Sequence, residues 1–195
     1  VGLGGAWLFS SRLGKVLSAY VGLQIAYSCW LKHLALVDVF VIALGFVLRA
    51  IAGGIAIQVM ISPWLLICAF LLALFLALCK RRHEKRLMNE TGRQEFRPSL
   101  AISGERLLDQ LIAVTAGAFI VAYAIYTQWP DTVAKFHTTR LIFTLPFVVF
   151  GVFRYLHLVY CQAKGDQPEY ILLTDGPLMI SIALFGLTAL WIVMP

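Results

Sequence analysis

Apolar residues along this chain fall in long unbroken blocks rather than in alternation, and the polar residues are crowded into the gaps between them. Six blocks, at residues 16–31, 37–60, 63–79, 107–128, 141–161 and 177–194, reach or approach the roughly 20 residues that a helix needs to cross a bilayer. Residues 1–9 are also apolar but too few to cross, and read as the tail of an earlier helix. The gaps carry turn chemistry. Pro63 and Pro177 stand where a helix begins, a position that tolerates proline, and Trp129-Pro130-Asp131 closes another block. Trp30, Trp64, Trp129 and Trp191 lie near predicted ends, as expected of an interfacial aromatic belt. The pattern predicts an all-α, polytopic transmembrane bundle in a single domain, 1–195, with no internal repeat.

Composition strengthens that reading. Only 13% of the 195 residues are charged, against about a quarter in a typical soluble domain. The four cysteines form no CxxC pair, which argues against a disulfide framework or zinc site and for buried, reduced thiols. The chain opens at Val1 without a basic segment ahead of an apolar core, so no signal peptide is read. It reads as a chain entered part-way through. Of the 16 basic residues, 11 (Lys32, Lys80, Arg81, Arg82, Lys85, Arg86, Arg93, Arg97, Arg106, Arg154 and Lys164) fall on one side of the predicted bundle. Only Arg12, Lys15, Lys135 and Arg140 fall on the other, while Arg49 lies within a block. The positive-inside rule places the first side in the cytoplasm and the C-terminus outside, in the inner (plasma) membrane with the active face cytoplasmic.

The candidate chemistry gathers on that cytoplasmic side. Residues 80–105 read as the longest loop, opening Lys80-Arg81-Arg82-His83-Glu84-Lys85-Arg86 and continuing through Glu90, Arg93, Glu95 and Arg97. A headgroup anchor explains the bases but not the interspersed acids. Arginine forks gather phosphate oxygens, and carboxylates can hold Mg²⁺ bridged to phosphates, so the mixture suits a polyphosphate substrate. Tyr27, Ser28, Lys32 and Asp38 form a second group on the same side. Lys32 has a snorkelling alternative. Asp38 is a carboxylate near the apolar zone, where such groups are costly and usually functional. Arg49 follows Asp38 by eleven residues, nearly the same helix face about 16 Å along the axis. It reads either as a structural arginine capping backbone carbonyls or as the wall of a polar cavity. Gly45 and Gly53, four residues to either side, would let that face pack closely. Asp175 reads as an N-cap of the last helix or as a member of the same site. The four histidines form no HExxH-like pairing, no GxGxxG or Walker A loop occurs, and the basic cluster lacks interleaved aromatics, which excludes nucleic-acid binding.

Four stretches resemble the UbiA superfamily of membrane prenyltransferases, and within it the decaprenyl-phosphate phosphoribosyltransferases. They are YSCWLKHLALVDVFVIALGFVLRAIAGG at 27–54, LALCKRRHEKR at 76–86, TLPFVVFGVFRYLHLVY at 144–160 and PEYILLTDGPLMIS at 168–181. The resemblance implies a nine-helix fold, of which about six helices are present here, around a cytoplasm-facing cavity open to lipid. It implies transfer of 5-phosphoribosyl from phosphoribosyl pyrophosphate to a polyprenyl phosphate, a cell-wall precursor chemistry, with Mg²⁺. The carried-over substrate contacts are Tyr27, Lys32, Arg49, Lys80, Arg81, Arg82, Glu84, Arg97 and Asp175. Lys32, Asp38 and Arg82 are the expected catalytic group, and Glu84 the expected metal ligand. Lys80, Arg81, Arg82 and Glu84 occupy the place where ordinary superfamily members carry a second acidic motif.

The chain departs from the family pattern twice. No NDxxDxxxD motif occurs in it, and Asp175 is followed by Gly176 where the resemblance leads one to expect arginine. The resemblance places the missing motif before this chain, and the 195 residues alone are expected not to turn over substrate. Two other functions compete. A prenyltransferase acting on an aromatic acceptor would show an aspartate cluster in place of KRRHE, and a non-enzymatic membrane protein would leave the mixed charges at 80–105 without a purpose.

Overall fold

The computed structural model of the chain describes residues 10–34, 36–91, 104–161 and 174–194. All regular structure among them is helical, the expected solution for a chain whose backbone N–H and C=O groups must be satisfied internally in hydrocarbon. Among the described residues seven α-helices follow one another: α1 Ser11–Cys29, α2 Val37–Ala56, α3 Pro63–Thr91, α4 Glu105–Gln128, the short α5 Pro130–Phe136, α6 Leu145–Cys161 and α7 Gly176–Val193. Two 3₁₀ turns, Leu31–His33 and Arg140–Thr144, precede α2 and α6.

Among the described residues, five helical segments are long and apolar enough to cross a membrane: Val37–Ala56, Pro63–Leu87, Glu105–Gln128, Arg140–Cys161 and Gly176–Val193. The first of the six expected spans falls short. Helix α1 is long enough, but Arg12, Lys15, Gln24 and its serines and tyrosines dilute its apolar content. The sequence also sets the end of α3 too early. The basic stretch expected to open a loop after Cys79 continues the helix to Thr91. Lys, Arg, Glu, Leu and Met are good helix formers, and Arg81 pairs with Glu84 one turn on. The charged turns extend the helix beyond its apolar length without breaking it.

Helix α3 is the centre of the bundle, packed most extensively on α4 and then on α2. Its Cys68, Phe75, Leu78 and Cys79 are buried against Val39 and Ala43 of α2, Leu108, Ile112 and Phe119 of α4, and Tyr155 and Leu158 of α6. Phe75 and Tyr155 meet with ring centroids 5.5 Å apart. In lipid such contacts act through van der Waals complementarity rather than exclusion of water. Gly45 is buried beneath Tyr20 of α1, but an added Cβ would stand 3.7 Å from its Cε2, an ordinary van der Waals distance, so this contact does not require glycine. Nothing lies within 4 Å of a Cβ at Gly53. The tighter position is Gly54, where a Cβ would stand 2.5 Å from Ile61 Cδ1. Trp64 and Trp129 pair at 5.4 Å between ring centroids, joining the α3 start to the α4 end.

All four cysteines are free, but only Cys68 and Cys79 are buried; Cys29 and Cys161 are exposed at helix ends, contrary to the expectation of uniformly buried thiols.

Candidate functional site

The up-and-down order of the helices carries the C-terminal part of α3 and the starts of α2, α4 and α7 to the same end of the bundle, and α6 finishes there. Three clusters of charge form at that end.

The first joins α2 to α3. Asp38, in the first turn of α2, accepts from Arg81 Nε at 2.7 Å, and both residues are buried. Arg81 Nη1 also donates to Glu84. Two donors of one guanidinium are thus held by two carboxylates, the arrangement that makes a buried charge tolerable. The second joins α3, α4 and α6. Arg82 Nε donates to Asp109 Oδ1, and the hydroxyl of Tyr160 donates to the same oxygen at 2.8 Å. The Arg82 guanidinium carbon lies 3.8 Å from the Tyr160 ring centroid, a cation–π contact. The third joins α6 to α7. Arg154 Nε and Nη2 reach the two oxygens of Asp175 at 3.0 and 2.8 Å, a bidentate fork. Asp175 also accepts from the backbone N–H of Leu178 at 3.0 Å, so its reading as the N-cap of the last helix holds.

Among the residues singled out in the sequence, Asp38, Arg81 and Glu84 meet directly, and Arg82 stands next to them on α3. Lys80, half-buried, precedes them on the same helix. Lys32, also half-buried, lies on the 3₁₀ turn that leads into α2, six residues before Asp38. Tyr27 is half-buried near the end of α1. Arg49 is not brought to this group. It is exposed, donates to the Gly45 carbonyl at 3.3 Å, and packs over Phe46 at 4.3 Å and Tyr20 at 5.7 Å. That geometry matches the carbonyl-capping alternative, though not its burial. Arg97 lies outside the described residues, as do Arg93 and Glu95.

Sequence reasoning missed Asp109, Tyr160 and the role of Arg154. A signal existed for Asp109, a carboxylate one turn into a membrane-length helix, where its polar neighbours Glu105, Arg106 and Gln110 made it look like part of a solvated helix start. None marked Tyr160, since a tyrosine near the end of a membrane helix is common.

Among the described residues no group of three or more His, Cys, Asp or Glu stands together. Glu84, the expected metal ligand, is committed to Arg81, so these side chains do not fit a protein-built Mg²⁺ cage.

Behind the charged end, an apolar groove of about 320 Å³ opens between α3, α4, α6 and α7. Phe75, Phe119, Val148, Tyr155, Leu178 and Phe185 are among the residues that line it.

No family model matches the chain. Curated relatives do. It is 30% identical over 182 residues to a protein of Mycolicibacterium smegmatis named decaprenyl-phosphate phosphoribosyltransferase, covering 90% of this chain and 56% of the relative. Proteins of the same name from Mycobacterium tuberculosis and Corynebacterium glutamicum are also 30% identical, over 91% and 86% of this chain and 57% and 50% of their own lengths. The chain therefore spans about half the length of the curated relatives it matches. The resemblance drawn from the four sequence stretches is borne out, and it is consistent with the UbiA superfamily.

Proposed function

We propose, from this kinship with proteins named decaprenyl-phosphate phosphoribosyltransferase, that the chain belongs to a membrane transferase that moves 5-phosphoribosyl from phosphoribosyl pyrophosphate to a polyprenyl phosphate. The observation that carries the reading is the pairing of a cationic helix end with an apolar groove behind it. The first suits a pyrophosphate and the second suits a prenyl chain.

In the proposed reaction the bond between ribose C1 and the pyrophosphate oxygen breaks, C1 gains oxocarbenium character, and an oxygen of the lipid phosphate closes on C1. The leaving pyrophosphate takes the electron pair. Cationic side chains aimed at it stabilise the charge as it develops, the usual source of the largest catalytic effect. The acceptor phosphate is already anionic, so a strong general base is not required. Lys32, Lys80 and Arg82 are the proposed phosphate contacts, with Tyr27 and Arg97 as further contacts carried by the resemblance. Asp38 supports Arg81 in this scheme. Mg²⁺ enters the proposal as the ion that accompanies pyrophosphate, and no step is routed through it. The active end is proposed to face the cytoplasm of the plasma membrane, where phosphorylated sugars are found.

Transfer of a prenyl chain to an aromatic acceptor is the reading this one displaces, because the end of α3 carries arginines where that reaction would call for aspartates. Binding separates the two. The purified chain in lipid nanodiscs should bind phosphoribosyl pyrophosphate in preference to farnesyl diphosphate, measured by calorimetry at fixed salt. A preference for farnesyl diphosphate, or binding of neither ligand by the folded chain, would overturn the proposal that this end of the bundle holds the phosphoribosyl donor.

A further inference from the structure

Arg81 and Arg82 are neighbours in sequence and look interchangeable there. Their surroundings are not. Consecutive helical residues point about 100° apart, so Arg81 turns toward α2 while Arg82 turns toward α4 and α6. Arg81 has Nε on Asp38 and Nη1 on Glu84, and is buried. Arg82 has only Nε engaged, on Asp109, and its Nη1 and Nη2 make no hydrogen bond or ion pair among the described residues.

The fork of Arg82 is held from two directions. Asp109 fixes Nε, and the Tyr160 ring supports the guanidinium plane at 3.8 Å. Tyr160 closes the arrangement by donating its hydroxyl to the same Asp109 oxygen, at 2.8 Å. Three helices thereby fix one side chain. A long flexible cation normally loses rotamer freedom when it binds a ligand, and a guanidinium already oriented loses less. A carboxylate that took both Nη groups would cancel the cation for an incoming anion. One that takes only Nε leaves the donating edge open.

We infer that Asp109 and Tyr160 are positioning residues that hold Arg82 so that its two Nη groups face the phosphate of the substrate, while Arg81 serves the α2–α3 junction. The inference rests on the phosphate reading of this end of the bundle. It assigns α4 and α6 a part in substrate recognition through a residue they do not themselves carry.

The experiment is a set of double-mutant cycles read by calorimetric binding of phosphoribosyl pyrophosphate to the chain in nanodiscs, with thermal unfolding followed in parallel. Arg82→Ala should weaken binding by roughly 10- to 100-fold, the range for a lost charge-assisted contact. Asp109→Asn should weaken it by roughly 10-fold. Tyr160→Phe, which keeps the ring and loses only the hydroxyl, should weaken it by roughly 3-fold, and Tyr160→Leu by more. In the Arg82→Ala background the Asp109 and Tyr160 substitutions should add almost nothing, since residues that act through one side chain are not additive. A merely structural role would lower the unfolding temperature yet leave binding unchanged, or weaken binding equally in both backgrounds. Either result overturns the inference while leaving the phosphate reading intact. If Arg82→Ala itself leaves binding unchanged in a folded protein, the phosphate reading of Arg82 falls and the positioning roles fall with it. Should Asp109→Asn not fold, the Tyr160→Phe cycle decides the matter by the same criterion.

Discussion

Asp38 and Arg81 stand 43 residues apart in sequence and meet at 2.7 Å, with 3% and 6% of their side chains exposed. The contact fixes the start of α2 against the last buried turns of α3, and so sets where the turn bearing Lys32 sits relative to the basic helix end.

Removing one partner of such a pair leaves a buried charge without its counterpart. Asp38→Leu is therefore expected to destabilise the bundle by about 3 kcal/mol, with Glu84 limiting the loss. Replacing both partners, Asp38→Leu with Arg81→Met, should cost less than the two single losses added together, because neither half of the buried pair is then left facing an absent partner, and the charge that remains is that of Glu84. Thermal unfolding in detergent would check this. A double variant as unstable as the two single effects added together would show that the pair is not coupled.

Asp175 performs two tasks that substitutions can separate. Asp175→Asn keeps an oxygen for the Leu178 N–H and loses the charge that holds Arg154, whereas Asp175→Ala loses both. Loss of the cap alone costs about 0.5–2 kcal/mol. The expected order of unfolding temperatures is native, then Asp175→Asn, then Asp175→Ala. Raised salt should narrow the gap between native and Asp175→Asn, since the Arg154 pair is partly open to solvent. Equal stability of the two variants would show that the cap contributes nothing measurable.

Topology is testable by labelling. With exposed Cys29 and Cys161 replaced by serine, a single cysteine introduced at Asn89 should react only with reagent supplied from the cytoplasmic side. One introduced at Asp131 should react only from the other side. Both native positions are exposed and lie at opposite ends of the bundle. The warrant is the 11-to-4 division of basic residues between the two sides. Reversed labelling at both positions would invert the proposed orientation and move the proposed phosphate site out of reach of cytoplasmic phosphorylated sugars.

Features that depend on order along one dimension, or on the nearest turn of helix, are legible in the amino-acid sequence. The apolar blocks marked six candidate spans, and five of them are helices long and apolar enough to cross a membrane, because a bilayer crossing is a matter of length and hydropathy. Asp175 was legible as a cap, since its partner Leu178 is three residues away. The gathering of bases at one end followed from counting them between blocks. Tertiary structure decided the rest. That α3 runs on to Thr91 depends on solvated charged turns that a hydropathy boundary treats as loop. That Arg49 stays with Tyr20 while Asp38 goes to Arg81 depends on two neighbouring helices lying against different lengths of α2. Above all, two adjacent arginines differ only in rotation about the helix axis. One meets two acids and the other meets one acid and an aromatic ring. Which partner a side chain finds is set by the packing of three helices whose contacts join residues as far apart in the chain as Arg82 and Tyr160, and no local pattern in the sequence carries that information.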